Sequence, residues 1–463
     1  MSRFRPRMSP SGAAVVSPAP TPVLQTTHSA PLVSPEEPSA PVPAPVPEEA
    51  NALQRVAFVV LCTYMISGAL NEWMLRLIGI KGYVSIVALL LLPFVWLASG
   101  AALRGLRHAI GRWWALFLLL MIADVPFSIW RGGSVILLAD YVPRSYLQLF
   151  FIASLCVTVT SCRRLMYMNA IVSFLALLTC VMFGSYSEDG RYMVQGGAGF
   201  FTNSNELAME LLMGITQFAY VFSRKNMAGK IIAACGIAGS IPYILSTGSR
   251  GCTLAALAYG GLLLYTSRRR ILAVAAIGVL AIVGLVFASS GALRRVSLMF
   301  GDEPGTSSAV ESRDSRIELL MRSLQETVTH PLFGVGPGQF PVSVSEEAKQ
   351  TGEWVQWLGT HNAYTQVSSE CGIPAFLCYF AVNILCFTVN LRNWRIFRKR
   401  PDGEEVTLLS LALLSGILVY SICSFFFHMA YTGTLPLLGG QTIALDFVAR
   451  RQLQATAEVA PAV

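Results

Sequence analysis

The chain has 463 residues, of which 54% are hydrophobic and only 13% are charged. Soluble globular domains carry about 25% charged residues, so this composition excludes an ordinary water-soluble enzyme and indicates a polytopic membrane protein. The net charge of +8 does not indicate nucleic-acid binding, because in a membrane protein the placement of basic residues matters more than their total. The ten cysteines form no CxxC pair, so we predict neither a disulfide framework nor a zinc site.

Residues 1–50 form the first predicted segment, a tail rich in Pro and Ala with few large apolar side chains. Such a composition cannot offset the entropy lost on ordering, so we expect this tail to be disordered. It has no apolar core of the kind found in a signal peptide. Two interpretations stay open: a solvated tail with no specific task, or a Pro-rich segment that binds a partner.

Beyond Asn51, apolar runs of roughly 15 to 22 residues alternate with short polar links, the length that crosses a hydrocarbon core about 30 Å thick. This pattern predicts an all-α membrane protein with about twelve transmembrane helices. The expected limits are 56–72, 82–100, 113–130, 145–160, 165–184, 205–222, 229–246, 252–266, 271–289, 371–390, 406–425 and 430–448. Asp124 and Pro126 interrupt the third run and are expected to kink or hydrate it.

These limits divide the chain into five predicted parts. The divisions are a tail at 1–50, helices 1–9 within 51–289, a large loop with amphipathic helices at 290–370, helices 10–12 within 371–450 and a short tail at 451–463. We expect the loop to carry the chemistry, since it is the longest polar stretch of the chain.

The basic residues predict the orientation of the chain. Clusters at 224–230, 268–270 and 392–400 fall on one side of the predicted spans, together with most of the 34 Lys and Arg residues. Positively charged short loops stay in the cytoplasm, so both termini are predicted to be cytoplasmic and the 290–370 loop external. The same count places five polar residues on the external side, where they can share one site: Arg191, Asn205, Arg250, Arg316 and His361.

The external loop contains an amphipathic pattern followed by a glycine-rich run. Apolar residues recur at Ile317, Leu320, Met321, Leu324 and Val328, which is typical of a helix that lies on the membrane surface or caps the bundle. Pro331 should end this helix, and the glycine-rich residues 331–338 forbid regular structure.

A polar stripe follows the loop. If residues 362–370 are helical, Asn362, Gln366 and Glu370 lie on one face, with His361 at the N-terminal end. Such a stripe at a membrane is costly unless it faces water or protein.

Three motifs, taken together, resemble those of the O-antigen ligase and polymerase superfamily. They are Thr-Gly-Ser-Arg-Gly at 247–251, the glycine-rich run at 331–340, and His-Asn-Ala-Tyr-Thr-Gln at 361–366 with Glu-Cys-Gly-Ile at 370–373. Their order, the long outer loop and the twelve-span topology match as well, and the resemblance covers about residues 55–450. One difference is Thr365, where the family usually has Leu, a change we expect to be tolerated.

The resemblance implies a glycosyltransferase of the bacterial inner (cytoplasmic) membrane. It would transfer a glycan from undecaprenyl diphosphate, at the periplasmic face, to a sugar hydroxyl of an acceptor glycan or glycolipid. Ligation to lipid A core in lipopolysaccharide synthesis is the first expectation. Polymerisation of O-antigen or exopolysaccharide repeat units is the alternative, and attachment to protein a third outcome. A polysaccharide transporter or flippase is the competitor of a different class; it should show mid-membrane charges and repeated broken helices, which the sequence lacks.

The resemblance also suggests roles for individual residues. His361 would be the general base, since a neutral imidazole can take the acceptor's proton, and His428 is a lesser alternative. Guanidinium groups hold a departing diphosphate in bidentate fashion, which favours Arg250, with Arg316 and Arg191 as further candidates. Residues expected to contact glycan or support the site are Asn205, Asn362, Tyr364 and Glu370.

Simpler interpretations of the same residues are that His361 caps a helix and that Arg250 extends to the membrane interface. No two aspartates are spaced as DxD, a pattern with which many glycosyltransferases hold a divalent ion. We therefore expect a metal-independent reaction without a cofactor.

Overall fold

A computed structural model describes residues 50–79, 83–187, 190–194, 201, 203–267, 307–351 and 359–459, with single positions 271, 274 and 278. Nearly all of the predicted N-terminal tail, most of the predicted span at 271–289 and the first part of the predicted external loop lie outside the described residues.

The described residues form fourteen α-helices joined by short links. These are α1 Ala52–Ile78, α2 Tyr83–Ala98, α3 Ala109–Asp124, α4 Arg131–Tyr141, α5 Gln148–Leu155, α6 Val159–Phe183, α7 Ser204–Phe222, α8 Met227–Ser246, α9 Arg250–Thr266, α10 Ser307–Thr329, α11 Phe340–Thr351, α12 Ala363–Phe397, α13 Glu404–Cys423 and α14 Thr434–Val459. Two short strands, β1 Ser185–Tyr186 and β2 Tyr192–Met193, pair antiparallel between α6 and α7.

Seven helical segments of the described chain are long and apolar enough to cross a membrane. They are Ala52–Asn71, Ala109–Phe127, Arg131–Leu155, Val159–Phe183, Met227–Ser246, Ala363–Phe397 and Glu404–Cys423. The prediction of an all-α, multi-pass membrane protein is confirmed, while the count of twelve spans stays a prediction. Val84–Ala98 is a shorter apolar helix.

Two of the predicted spans differ from the observed helices for local reasons. The fourth span was predicted at 145–160, but one apolar segment runs over Arg131–Leu155, because a π-helical turn at Val142–Tyr146 joins α4 to α5. In the third span, α3 ends at Asp124 and a 3-10 turn at Val125–Phe127 follows. Pro126 therefore lies just beyond the end of α3, where a missing backbone donor is tolerated.

The core is centred on α12 and its contacts with α3 and α13. Trp114 and Phe117 of α3, Tyr379 of α12 and Tyr420 of α13 are all fully buried. The hydroxyl oxygens of Tyr379 and Tyr420 lie 2.5 Å apart, so each buried polar end has a partner. These contacts fix α13 against α12 and hence position the loops at the ends of both helices.

A kink in α12 forms the attachment point of the glycine-rich run. Gly372 has φ 76°, and Pro374 has no N–H to donate to the carbonyl of Glu370. That carbonyl instead accepts from the Gly336 N–H at 2.9 Å, and the Ile373 N–H donates to the Pro331 carbonyl at 2.8 Å. A Cβ at Gly372 would lie 2.3 Å from the Leu332 carbonyl oxygen, so this close backbone approach requires glycine.

The predicted amphipathic helix is present as α10, which ends before Pro331. The hydroxyls of Thr327 and Ser368 are hydrogen-bonded at 2.8 Å, which ties α10 to α12. The side of α10 that carries Leu319 and Ser323 is buried. Most of the apolar stripe that predicted the helix is exposed instead: Ile317, Met321, Leu324 and Val328.

Candidate functional site

His361 lies at the start of α12 and is held there by the helix cap. The side-chain oxygen of Asn362 accepts from the backbone N–H of Tyr364 at 2.9 Å and of Thr365 at 3.1 Å, as an N-cap residue does. The Tyr364 hydroxyl donates to the Ser421 carbonyl at 3.1 Å. In this structure Asn362 and Tyr364 therefore order the backbone around His361, consistent with the expected supporting role.

The backbone of His361 adopts a conformation that few residues other than glycine adopt. Its φ is 51°, the only positive φ among the described residues that are not glycine. This left-handed conformation costs about 1 kcal/mol or more for a residue with a Cβ. The hydrogen bonds of the capped first turn of α12 offset this cost and hold the backbone of His361 in that conformation.

A second histidine adjoins His361. The ring centroids of His361 and His428 are 5.2 Å apart and the rings are nearly perpendicular, at 77°. His428 lies in the connection between α13 and α14, 67 residues along the chain, and was predicted only as a lesser alternative base.

Burial and positive neighbours change the proton affinity of His361. Its pKa is lowered from 6.5 to about 4, first by burial and then by His428 and the charges of Arg316 and Arg191. The imidazole is therefore neutral at pH 7, as a general base must be, but it is a weaker base than an ordinary histidine. The electrostatic effect of Arg316 and Arg191 on His361 is consistent with the predicted grouping of these three residues.

Arg191 joins two other parts of the site. Its Nη2 donates to the Asn205 side-chain oxygen at 2.6 Å, and its Nε donates to the Thr247 carbonyl at 3.0 Å. Asn205 lies in the first turn of α7, and Thr247 lies three residues before Arg250. The predicted grouping of Arg191 with Asn205 is thus present in the structure, and Asn205 positions Arg191 directly.

Arg250 is the first residue of α9. Its guanidinium makes no hydrogen bond or ion pair with any part of the chain that the structure describes. The preceding residue, Ser249, is buried, and its hydroxyl lacks a partner within the described ranges. Binding of an anion at this point is favoured by the cation, by the hydroxyl and by the N–H groups at the N-terminus of the helix.

The N-terminus of α9 lies at the same end of the bundle as His361. A Cβ at Gly251 would lie 2.8 Å from the ring of Phe426, which is two residues before His428. The structure therefore does not separate Arg250 and His361 onto opposite ends of the helices.

The carboxylate of Glu370 bonds to the glycine-rich run and to Tyr431, not to His361. Its carboxylate accepts from the Gly338 N–H at 2.9 Å, the Phe340 N–H at 3.4 Å and the Tyr431 hydroxyl at 2.7 Å. These bonds attach the glycine-rich run to α12. Two helical turns separate Glu370 from His361 along α12, so we interpret Glu370 as a support for the glycine-rich run and the start of α11.

Sequence reasoning missed the part that Ser249 has in this site and underestimated that of His428. Ser249 had a local signal, since Ser before the first residue of a helix is typical of a helix start. No local sequence pattern indicated His428, because His361, the residue that it adjoins, is distant in the sequence. Among the described residues, no group of three or more His, Cys, Asp or Glu side chains is arranged to hold a metal ion.

A model of the O-antigen ligase family matches residues 235–380. That range includes Arg250, Arg316 and His361 and supports an O-antigen ligase-like family, while Arg191 and His428 lie outside it. A search of curated proteins gave no match.

Proposed function

We propose that this O-antigen ligase-like membrane protein is a metal-independent glycosyltransferase that moves a glycan from undecaprenyl diphosphate to a sugar hydroxyl. The acceptor would be a glycan or a glycolipid, and the reaction would take place at the periplasmic face of the bacterial inner membrane. Ligation is the first choice, and polymerisation of O-antigen or exopolysaccharide repeat units is the alternative.

The observation that carries the proposal is a histidine at the start of α12 that burial and two arginines keep neutral. Arg316 and Arg191 act electrostatically on His361, and Arg250 begins α9 at the same end of the bundle. Such an arrangement suits a reaction in which an uncharged nucleophile must lose a proton while a strongly anionic group departs.

The diphosphate would bind at the N-terminus of α9. Arg250 offers a bidentate guanidinium, the first N–H groups of α9 add the positive end of the helix dipole, and the buried hydroxyl of Ser249 adds a hydrogen-bond donor. Arg191 and Arg316 would stabilise the negative charge that grows on the leaving group.

The chemical step is a direct displacement. The acceptor oxygen attacks the anomeric carbon and gives its proton to His361, while the bond between that carbon and the diphosphate oxygen breaks. Undecaprenyl diphosphate leaves with the electron pair of that bond. A single displacement of this kind inverts the anomeric configuration.

Transfer by purified protein tests the proposal. The donor is a synthetic glycan on undecaprenyl diphosphate, and candidate core and repeat-unit acceptors are supplied in turn. His361→Ala should lower transfer by about 10²-fold to 10⁴-fold while the protein still binds the donor. The matched control is His330→Ala, which removes an exposed histidine beside Glu326 at the end of α10. Unaltered transfer by His361→Ala would remove His361 from this role.

A null strain separates the two activities within this class. Loss of a ligase leaves long glycans on the lipid carrier, whereas loss of a polymerase leaves single repeat units. Reporter fusions at the two termini test the proposed orientation, in which both are cytoplasmic.

A further inference from the structure

His428 has no role in the proposed reaction, yet one of its ring nitrogens is in an unusual state. The Nδ1 atom is shielded from solvent and has no hydrogen-bond partner in the described part of the chain. A buried polar atom without a partner costs about 1–3 kcal/mol. Native proteins contain few such atoms, so the ring of His428 is held in its place at a cost, by contacts other than a hydrogen bond of Nδ1 within the described residues.

The segment that carries His428 is fixed on both sides of the ring. The Ala363 N–H donates to the Ser424 carbonyl at 2.8 Å, and the Ala430 N–H donates to the side-chain oxygen of Gln366 at 3.2 Å. Residues 424–430 are therefore docked on the first turn of α12. This docking holds the ring of His428 beside that turn.

The backbone before His361 also contacts this ring. A Cβ at Gly359 would lie 3.0 Å from Cγ of His428, closer than most side-chain contacts. His428 thus touches the chain on the N-terminal side of His361 and also meets the His361 ring, at a centroid separation of 5.2 Å. A ring in this position limits the orientations open to the His361 imidazole.

We propose that His428 is a positioning residue for His361: its ring holds the imidazole of His361 in a fixed orientation at the start of α12 and excludes water from one side of it. The inference rests on the proposed role of His361 as the base. A base held in one orientation needs less reorganisation as the acceptor attacks, and a misplacement of about 1 Å can cost about 10²-fold in rate.

This contact should also control when His361 becomes protonated. Three groups act on the charge of its ring: His428 from the segment 424–430, Arg316 from α10 and Arg191 from the link between β1 and β2. All three disfavour a proton on His361, as does the burial of its ring. Removal of the His428 ring should admit water and raise the pKa of His361.

The titration of His361 can be measured without any reference to activity. The chain has five histidines, so the imidazole signals of protein labelled with ¹³C-histidine can be assigned by single substitutions in detergent. We expect His361 to stay neutral down to about pH 5 in the wild-type protein. In His428→Ala its midpoint should rise by about 1 pH unit or more, and in His428→Phe, which keeps a ring, most of that rise should be absent.

Kinetics provide the second measurement. In His428→Ala, kcat should fall by about 10-fold to 100-fold with KM for the donor unchanged, and the acidic limb of kcat/KM should move to higher pH. His428→Phe should recover most of kcat, and His330→Gln should change neither quantity. If His428→Ala does not fold, His428→Gln is measured instead, with the same expectations.

The two proposals fail in different ways. A titration of His361 that His428→Ala and His428→Gln leave unchanged overturns the positioning role, even if transfer depends on His361. A shifted titration in a protein that transfers no glycan would leave the contact between the two rings intact and contradict the proposed function instead.

Discussion

Histidine and arginine side chains lie near both ends of α12, but they bind a buried carboxylate only at the C-terminal end of the described helix. Near its C-terminal end, the buried carboxylate of Asp446 is contacted by Arg392, by His108 at 3.2 Å and by Asn393 at 3.1 Å, and it accepts from Nε of Arg450 at 2.7 Å. These groups come from the start of α3, the end of α12 and the middle of α14. The cluster joins three helices and leaves no oxygen of Asp446 without a donor.

Near the N-terminal end of α12, the rings of His361 and His428 lie beside each other, and Arg316 and Arg191 act on the charge of His361. Neither His361 nor His428 is bonded to an acid anywhere in the described ranges, and positive charge lowers the pKa of His361. Charges that are paired inside a protein contribute to its stability, whereas a guanidinium at a helix N-terminus that is not paired within the described residues, as at Arg250, favours an external anion. We therefore propose that the His361 end binds the ligand, while the Asp446 end joins three helices.

The largest expected effect is at Arg250, whose guanidinium makes no hydrogen bond or ion pair within the described residues. Arg250→Lys keeps the positive charge but loses the bidentate contact, and we expect kcat/KM for transfer to fall by about 10²-fold. The matched variant at the other end of α12 is Arg392→Lys, which should change kcat/KM by less than about threefold. Full activity of Arg250→Lys would contradict bidentate binding of the diphosphate by this residue.

The second prediction concerns stability at the Asp446 end. Asp446→Ala removes the acceptor of several donors and leaves Nε2 of the buried His108 without its partner, so the protein should lose about 2–3 kcal/mol of stability. That value is reduced because Arg392 and Arg450 are each about half exposed. Thermal unfolding in detergent measures the loss, and transfer per folded molecule should stay close to that of the wild type. If Asp446→Ala lost transfer activity without losing stability, the proposed difference between the two ends of α12 would be contradicted.

The third prediction is a dependence of stability on pH. The pKa of His361 is about 4 in the folded protein and near 6.5 when unfolded, so between these values the unfolded chain binds more protons. Stability should therefore fall as pH drops from about 6.5 towards 4, by about 1–3 kcal/mol from this residue, and change no further below that range. Melting temperatures at several pH values check this, and His361→Gln should show a smaller fall.

The smallest expected effect is at Thr365, the position that differs from the family pattern. Its hydroxyl makes only a long contact of 3.5 Å with the Asn362 carbonyl, while the helix cap uses its backbone N–H. Thr365→Leu should change stability by less than about 0.5 kcal/mol and leave transfer within about twofold. A large loss of transfer would show that this hydroxyl takes part in the site at the His361 end.

Several features of the fold and the site could be predicted from local sequence. Residue 362 was expected at a helix start, and Asn362 caps α12. The predicted grouping of Arg191 with Asn205 agrees with the hydrogen bond between their side chains. The continuous Arg131–Leu155 segment was missed, because a π-helical turn lets a Pro-containing link stay helical, and residue composition there resembles that of a loop.

The sequence alone determined that this chain enters a membrane, because repeated apolar runs long enough to cross the hydrocarbon core are unstable when exposed to water. The sequence also indicated where helices begin and where basic residues cluster, because helix caps and charge clusters involve residues only a few positions apart. Only the packed structure decided that Glu370 supports the glycine-rich run rather than His361, and that His428 meets His361. Those outcomes depend on contacts between segments far apart in the chain, where the kink at Gly372 and the packing of α13 against α12 set the geometry.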